Sequence, residues 1–143
     1  LIYNHKQKSP FMINRALWVR EELDLDFFRI ASGYLIGEYD YTSFCKKGSS
    51  EKNTIRRIEN INVTEQNHLI MFKVKGNSFL HNMVRIMVGT ILEMSMNNIS
   101  PSYMQEILEK RDRKFSGKTA PSYGLYLTKI SFDIDLSEME SAF

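Results

Sequence analysis

The apolar period of this chain changes sharply near its middle. Over residues 68–75, Ile70, Phe72 and Val74 alternate with Leu69, Met71 and Lys73. That period of two predicts a strand with one buried face. Gly76-Asn77-Ser78 breaks it. Apolar residues then return at Leu80, Met83, Val84, Met87, Ile91 and Met94, the spacing of one buried helix stripe. Upstream, residues 55–63 predict a second strand whose alternation slips near Ile58, as at a bulge, with Glu65-Gln66-Asn67 turning it into a hairpin. A hairpin feeding a buried helix directs the chain toward a sheet with helices packed on it.

The flanking segments fit this plan. Residues 1–4 predict the end of a strand, 6–10 a basic turn, and 15–20, around Leu17, Trp18 and Val19, a short strand or loop. Asp24 can cap a helix carrying Phe27, Phe28, Ala31, Tyr34 and Leu35, with Gly37 as its stop. Residues 38–53 read as a long connection with Gly48, Ser49 and Ser50 at its tip. Ser100-Pro101 should open a further helix bearing Met104, Ile107 and Leu108. A basic loop over 110–123 leads to a last strand over 125–132. Helices and antiparallel strands are mixed, so the expected class is α+β, an antiparallel or mixed β-sheet with helices packed on it.

Composition closes off other classes. Hydrophobic residues make up 43% and charged residues 25% of 143, enough for a buried core. No apolar run approaches the ~18 residues of a membrane span. One cysteine, Cys45, excludes an intramolecular disulfide framework and disfavours a thiolate-rich metal site. A reducing cytoplasm is the expected compartment. The chain lacks a leader-like start and opens at Leu1 in strand-like sequence, so a fragment of a longer protein is expected.

Charge is distributed unevenly. The net charge is +2, but Asp133, Asp135, Glu138 and Glu140 make residues 133–143 an acidic tail. Two stretches concentrate the bases: Lys46, Lys47, Lys52, Arg56 and Arg57 against Glu51, and Lys110-Arg111-Asp112-Arg113-Lys114 followed by Lys118. Such stretches suit a polyanion, or simply form a solvated face. Asp112 reads as an ion-pair partner for Arg111 and Arg113.

Ser78, His81 and Arg85 stand at i, i+3 and i+7 and would share one face of the buried helix. A guanidinium there needs a partner or a wet cleft. Arg85 is therefore a candidate to pair with a catalytic carboxylate or an anionic substrate, or else it snorkels to the surface. No His-x-x-x-His, CxxC, glycine-rich phosphate loop or G-x-S-x-G is present, so no metal, nucleotide cofactor or serine nucleophile is expected.

The run Gly76-Asn77-Ser78-Phe79-Leu80-His81-Asn82-Met83-Val84-Arg85, continuing Ile86-Met87-Val88-Gly89-Thr90, resembles the G-N-x-F-L-x-x-M-V-R-x-x-V-G-T segment of the tRNA pseudouridine synthase A (TruA) family. Leu35-Ile36-Gly37-Glu38-Tyr39-Asp40-Tyr41-Thr42-Ser43-Phe44 resembles its L-x-G-x-H/N-D-F-x-S-F. Asn53-Thr54-Ile55-Arg56 resembles its N-T-V-R. Asp112-Arg113, Thr119-Ala120-Pro121 and Gly124-Leu125-Tyr126-Leu127 resemble its D-R…T-A-P-x-x-G-L-Y-L ending. The resemblance implies a domain over 1–132 equivalent to the family's C-terminal part, about half of its fold, followed by the acidic tail.

It also implies a function. The family isomerises uridine to pseudouridine in the tRNA anticodon stem-loop, without a cofactor, as a homodimer. Its aspartate lies in an R-T-D-x-G-V-H motif that this chain lacks, so the chain alone should be inert. The resemblance assigns Arg85 to pairing with that aspartate and Leu125 to the base pocket. It assigns Lys6 and the loop Gly48, Ser49, Ser50, Glu51 and Lys52 to tRNA contact, with Lys46, Lys47 and Arg56 beside them. The alternative is a non-catalytic RNA-binding or dimerisation module.

Overall fold

The computed structural model describes residues 1–131. Five strands, β1 (Ile2–Asn4), β2 (Leu17–Val19), β3 (Gly37–Asp40), β4 (Ile55–Gln66) and β5 (Leu69–Gly76), form one mixed sheet in the order β2-β1-β5-β4-β3. β1 and β2 run parallel, and the other pairs are antiparallel. Three helices accompany them: α1 (Leu25–Gly33), α2 (Met83–Met96) and α3 (Tyr103–Lys110). The expected α+β architecture is the observed one.

The sheet buries one face, as an antiparallel sheet commonly does. Along β5, Ile70 is buried and Phe72 and Val74 are half-buried, while Met71, Lys73 and Lys75 face outward. α1 packs over β4, with Phe28 edge-on to Phe72 at 5.5 Å between ring centroids. Ile58, Phe28, Tyr41 and Phe44 meet Met83, Ile86, Met87 and Ile91 of α2 and Met104 of α3 in one core. Each fully buried side chain of this size contributes about 1.5–3 kcal/mol.

Asp24 caps α1 as expected, accepting from the N–H groups of Asp26 and Phe27. The bulge is also present, as a register shift between Ile58 and Asn60 that leaves Glu59 to pair with Lys75 at 2.6 Å.

Several expectations are corrected. α1 ends at Gly33, not Gly37, which has φ +137 and opens β3. The connection over 38–53 is therefore not structureless: it contains most of β3 and a 3-10 turn at Thr42–Phe44. The hairpin turns at Asn67-His68, both at positive φ, with Gln66 opposite Leu69. That is the geometry of a two-residue turn whose twist suits the strands. Ser78 and His81 are not on α2, because Asn82 at φ 62 starts the helix one residue before Met83. The third helix takes Ser102, not Ser100, at its N-cap position, without a side-chain capping bond.

No regular strand includes residues 125–131. Alternation gives a strand its faces, but hydrogen bonds to a neighbouring strand make it one, and these residues pair with none of the five. Phe132 and the acidic tail lie outside the described residues.

Candidate functional site

Arg85 sits in the first turn of α2 and is partly buried. Its Nε donates to the carbonyl of Ala120 at 2.8 Å, and its Nη1 to Asn82 Oδ1 at 2.8 Å. Ala120 returns a bond, its N–H donating to the Arg85 carbonyl at 3.1 Å. The guanidinium therefore does not drift to solvent on a free stem. Among the described residues no carboxylate forms an ion pair with it.

Ala120 belongs to a strap, residues 117–120, that crosses α2. Gly117 N–H donates to Thr90 Oγ1 at 2.9 Å and Lys118 N–H to Glu93 Oε2 at 3.0 Å. The approach is so close that a Cβ on Gly89 would stand 1.8 Å from the Lys118 carbonyl oxygen. Thus Gly89, Thr90 and Ala120 are the parts that hold the strap on the helix and so hold Arg85.

Leu125 follows the strap, at 51% exposure. Its position is set by Gly124 at φ +90, whose carbonyl accepts from the Leu1 nitrogen at 2.7 Å. A side chain at Gly124 would meet Leu1 O at 2.9 Å. Tyr126 fastens the next residue by donating its hydroxyl to Arg15 O at 2.8 Å. Leu125 is thereby offered outward beside the starts of β1 and β2.

The first basic stretch forms the loop between β3 and β4. Lys46, Lys47, Gly48, Ser50, Glu51 and Lys52 are exposed, and Ser49 is half-buried. Arg56 has a different place from the lysines. It donates to Asn53 O at 2.8 Å, to Ile55 O at 2.7 Å and to Glu51 Oε2 at 3.3 Å, and its side chain is only 13% exposed. Arg56, at the start of β4, thus braces the returning end of the loop through Asn53 and Glu51, while the lysine side chains make no such bonds among the described residues.

The structure joins this loop to the second basic stretch. Ser43 Oγ donates to Ile107 O at 2.6 Å and accepts from Asp112 N–H at 3.0 Å, while Ser43 O accepts from Ser116 Oγ at 2.6 Å. Lys110 and Lys114 flank the Phe115 ring at 5.3 and 5.1 Å. Asp112 pairs with Lys114 at 3.2 Å, not with its neighbouring arginines. The N–H and ammonium of Lys114, and the nearby Lys47, hold its carboxyl below the usual range. The loop also reaches the chain just ahead of α2: Lys46 N–H donates to His81 O at 3.2 Å.

Lys6 does not join them. It is exposed beyond β1, near the Asn67-His68 turn, whereas the basic loop lies at the other end of β4. Those 12 residues span roughly 40 Å. His81 is exposed and contributes only its carbonyl to these bonds. Cys45 is buried, with its Sγ toward Lys46 O at 3.7 Å. No cluster of three metal-ligating side chains occurs among the described residues, and none of their helices is long and apolar enough to cross a membrane.

Sequence reasoning passed over Asp40. Its Oδ1 accepts from Thr42 N–H at 3.0 Å and from the hydroxyls of Thr42 and Thr54, both at 2.6 Å. Burial alone would raise the Asp40 carboxyl, but these hydrogen bonds, with Arg111 adding to them, hold it below its ordinary value. The signal was available as a D-x-T ahead of a long connection that ends on another Thr. Asn82, the partner of Arg85, stands in the motif that the resemblance rests on, but the resemblance gives it no role.

A family model described as tRNA pseudouridine synthase matches residues 31–133 of the chain. The chain belongs to the tRNA pseudouridine synthase family. The matched span takes in β3, the basic loop, α2, Arg85 and the strap. Among curated proteins, it is 41% identical over 132 residues to the tRNA pseudouridine synthase A of Caldicellulosiruptor bescii, covering 92% of this chain and 54% of that one. It is 42% identical over 128 residues to tRNA pseudouridine synthase A 1 of Bacillus cereus, covering 90% and 52%. The match to the Thermotoga sp. tRNA pseudouridine synthase A is 41% over 132 residues, again 92% and 54%. The chain spans about half the length of the curated relatives it matches.

Proposed function

We propose that this chain is the C-terminal part of a cytoplasmic, homodimeric tRNA pseudouridine synthase that acts on the anticodon stem-loop. In that reaction the bond from ribose C1′ to uracil N1 breaks, the base turns, C1′ rejoins it through C5, the C5 proton leaves and N1 takes up a proton, so the product is an isomer of the substrate. The attacking carboxylate comes from outside these 143 residues. Arg85 pairs with it and keeps it ionised. Leu125 packs near the target base, and the lysines of the basic loop take the phosphate backbone.

The observation that carries this reading is Arg85 itself. Two hydrogen bonds and a reciprocal backbone bond to Ala120 fix a partly buried cation that pairs with no acid among the described residues. A fixed, incompletely paired guanidinium is well suited to receive a carboxylate.

The test is made in the longer protein. Arg85→Ala should lower kcat/KM by about 30- to 150-fold, and Arg85→Lys, which lacks the planar fork, should restore little. The 143-residue chain incubated with tRNA should form no pseudouridine. Turnover by the chain alone, or a change of less than threefold in Arg85→Ala, overturns the assignment. A second reading, RNA binding without catalysis by this chain, is supported by the joining of the two basic stretches at Ser43.

A further inference from the structure

The segment between β3 and β4 leaves the sheet at Asp40 and returns at Ile55. Between these points lies the whole lysine-bearing loop. Its two ends are tied together at one carboxylate: Oδ1 of Asp40 takes the hydroxyl of Thr42 from the outgoing end and that of Thr54 from the returning end, each at 2.6 Å. The two hydroxyls stand 2.9 Å from each other. Beside them Tyr41 N–H donates to Thr54 O at 3.0 Å. The other carboxylate oxygen, Oδ2, faces Arg111 Nε at 3.8 Å. Arg111 is the second residue of the second basic stretch, so Asp40 lies between the base of one stretch and the start of the other.

We propose that Asp40, with Thr42 and Thr54, is a positioning clamp that holds the basic loop in register with residues 110–118 so that both engage one RNA phosphate backbone. The proposal rests on the RNA-binding part of the function proposed above. Asp40 itself makes no contact with RNA. Three donors on one oxygen fix both the direction in which the chain leaves the sheet and the point to which it returns. Closing a loop of this length is opposed by chain entropy, and Arg56 at the start of β4 adds a second brace through Glu51 of the loop. A loop closed only by the β3–β4 ladder would keep its lysines but not their common orientation. Phosphate binding by several lysines depends on presenting them together.

The experiment compares the 143-residue chain with Thr54→Val, which keeps shape and removes the hydroxyl, Thr54→Ser, which keeps the hydroxyl, and Asp40→Ala. Binding of an anticodon stem-loop RNA is read by fluorescence anisotropy across a salt series. Amide hydrogen exchange over residues 45–53 is read in the same proteins without RNA. Thr54→Val and Asp40→Ala should weaken binding about fivefold to tenfold and flatten its salt dependence. They should speed exchange in 45–53 while leaving α2 protected, and Thr54→Ser should behave as the parent. Unchanged exchange and binding in Thr54→Val overturn the clamp, as does equal loss in Thr54→Ser. If Asp40→Ala does not fold, the two Thr54 variants decide the matter. If the parent chain shows no RNA binding at all, the RNA-binding reading fails and takes the proposed role of the clamp with it, whereas faster exchange in Thr54→Val would still establish the clamp as a fold feature.

Discussion

Replacing Gly89 with alanine tests the strap that holds Arg85, because two opposing effects predict opposite signs. In a helix interior, alanine is favoured over glycine by about 1 kcal/mol. Were the strap irrelevant, Gly89→Ala should stabilise the chain by roughly that amount. The structure places the new Cβ 1.8 Å from Lys118 O and 3.0 Å from both Ala120 N and Lys118 C. Those are backbone atoms, so no side-chain rotation relieves the overlap and the strap must lift. Four hydrogen bonds join strap to helix: Gly117 to Thr90, Lys118 to Glu93, and two between Ala120 and Arg85. Losing two to four of them at about 1 kcal/mol each outweighs the helix gain and leaves a net loss of about 1–3 kcal/mol. Urea unfolding of the 143-residue chain, followed by far-UV circular dichroism, should show a lower midpoint at unchanged slope. Gly33→Ala is the control. Nothing lies within 4 Å of its added Cβ, so it should be stabilising by about 0.4–1 kcal/mol. An unchanged or raised midpoint for Gly89→Ala would refute the close approach of strap to helix, and with it the account of how Arg85 is held.

Two further predictions concern the connection from α1 to β4. The buried Tyr41 hydroxyl lies 2.7 Å from Leu35 O and 3.0 Å from Gly37 O, and burial, with Tyr39 adding to it, pushes its pKa upward. Tyr41→Phe should therefore cost about 1–2 kcal/mol in urea unfolding at neutral pH, and an unchanged midpoint counts against the bond. Asp40 has a folded-state pKa below its unfolded one. Its stabilising contribution is thus present above the ordinary aspartate value of about 3.9 and is lost as the pH falls from there through the folded value. Stability measured from pH 6 to pH 2 should fall less steeply in Asp40→Asn than in the parent, and parallel curves would contradict the direction of the shift.

What could be read from the sequence was what is local. The alternation of Ile70, Phe72 and Val74 and the recurrence of Met83, Met87, Ile91 and Met94 located β5 and α2, because each element's own residues write its period. The ends were less legible. Apolar spacing continues from Leu80 into α2, and nothing in that spacing shows that Asn82 has φ 62 and cuts Ser78 and His81 off the helix. β3 escaped notice because Gly37, Glu38, Tyr39 and Asp40 carry no buried alternation. It exists through its pairing with residues 55–58 on the far side of the basic loop. Residues 125–131 failed in the opposite way, with a strand-like pattern and no paired strand. Of the site, Arg85 was legible as a charge on an apolar helix, but its partners Asn82 and Ala120 were not, since the second stands far along the chain.

The motif residues therefore divide into those whose side chains are left without a partner of their own kind among the described residues and those that hold them in place. Leu125 and the loop lysines turn an apolar surface or a charge toward solvent, and Arg85 is partly buried with no ion pair among the described residues. Gly89, Thr90, Ala120, Gly124, Thr42 and Thr54 carry no charge, and the Asp40 carboxylate is taken up by Thr42, Thr54 and Arg111. Each is fixed by a backbone approach or by a hydrogen bond made inside the fold. Arg56, which composition groups with the lysines, falls among the holders because its guanidinium is committed to Asn53, Ile55 and Glu51. The basic loop meets the turn ahead of α2 where Lys46 N–H bonds His81 O, one residue before Asn82, whose side chain accepts from Arg85. The lysine-bearing loop is thus tied by a short run of backbone to the turn that carries the arginine. The loop and the guanidinium are held in one frame by backbone and side-chain bonds made inside the fold.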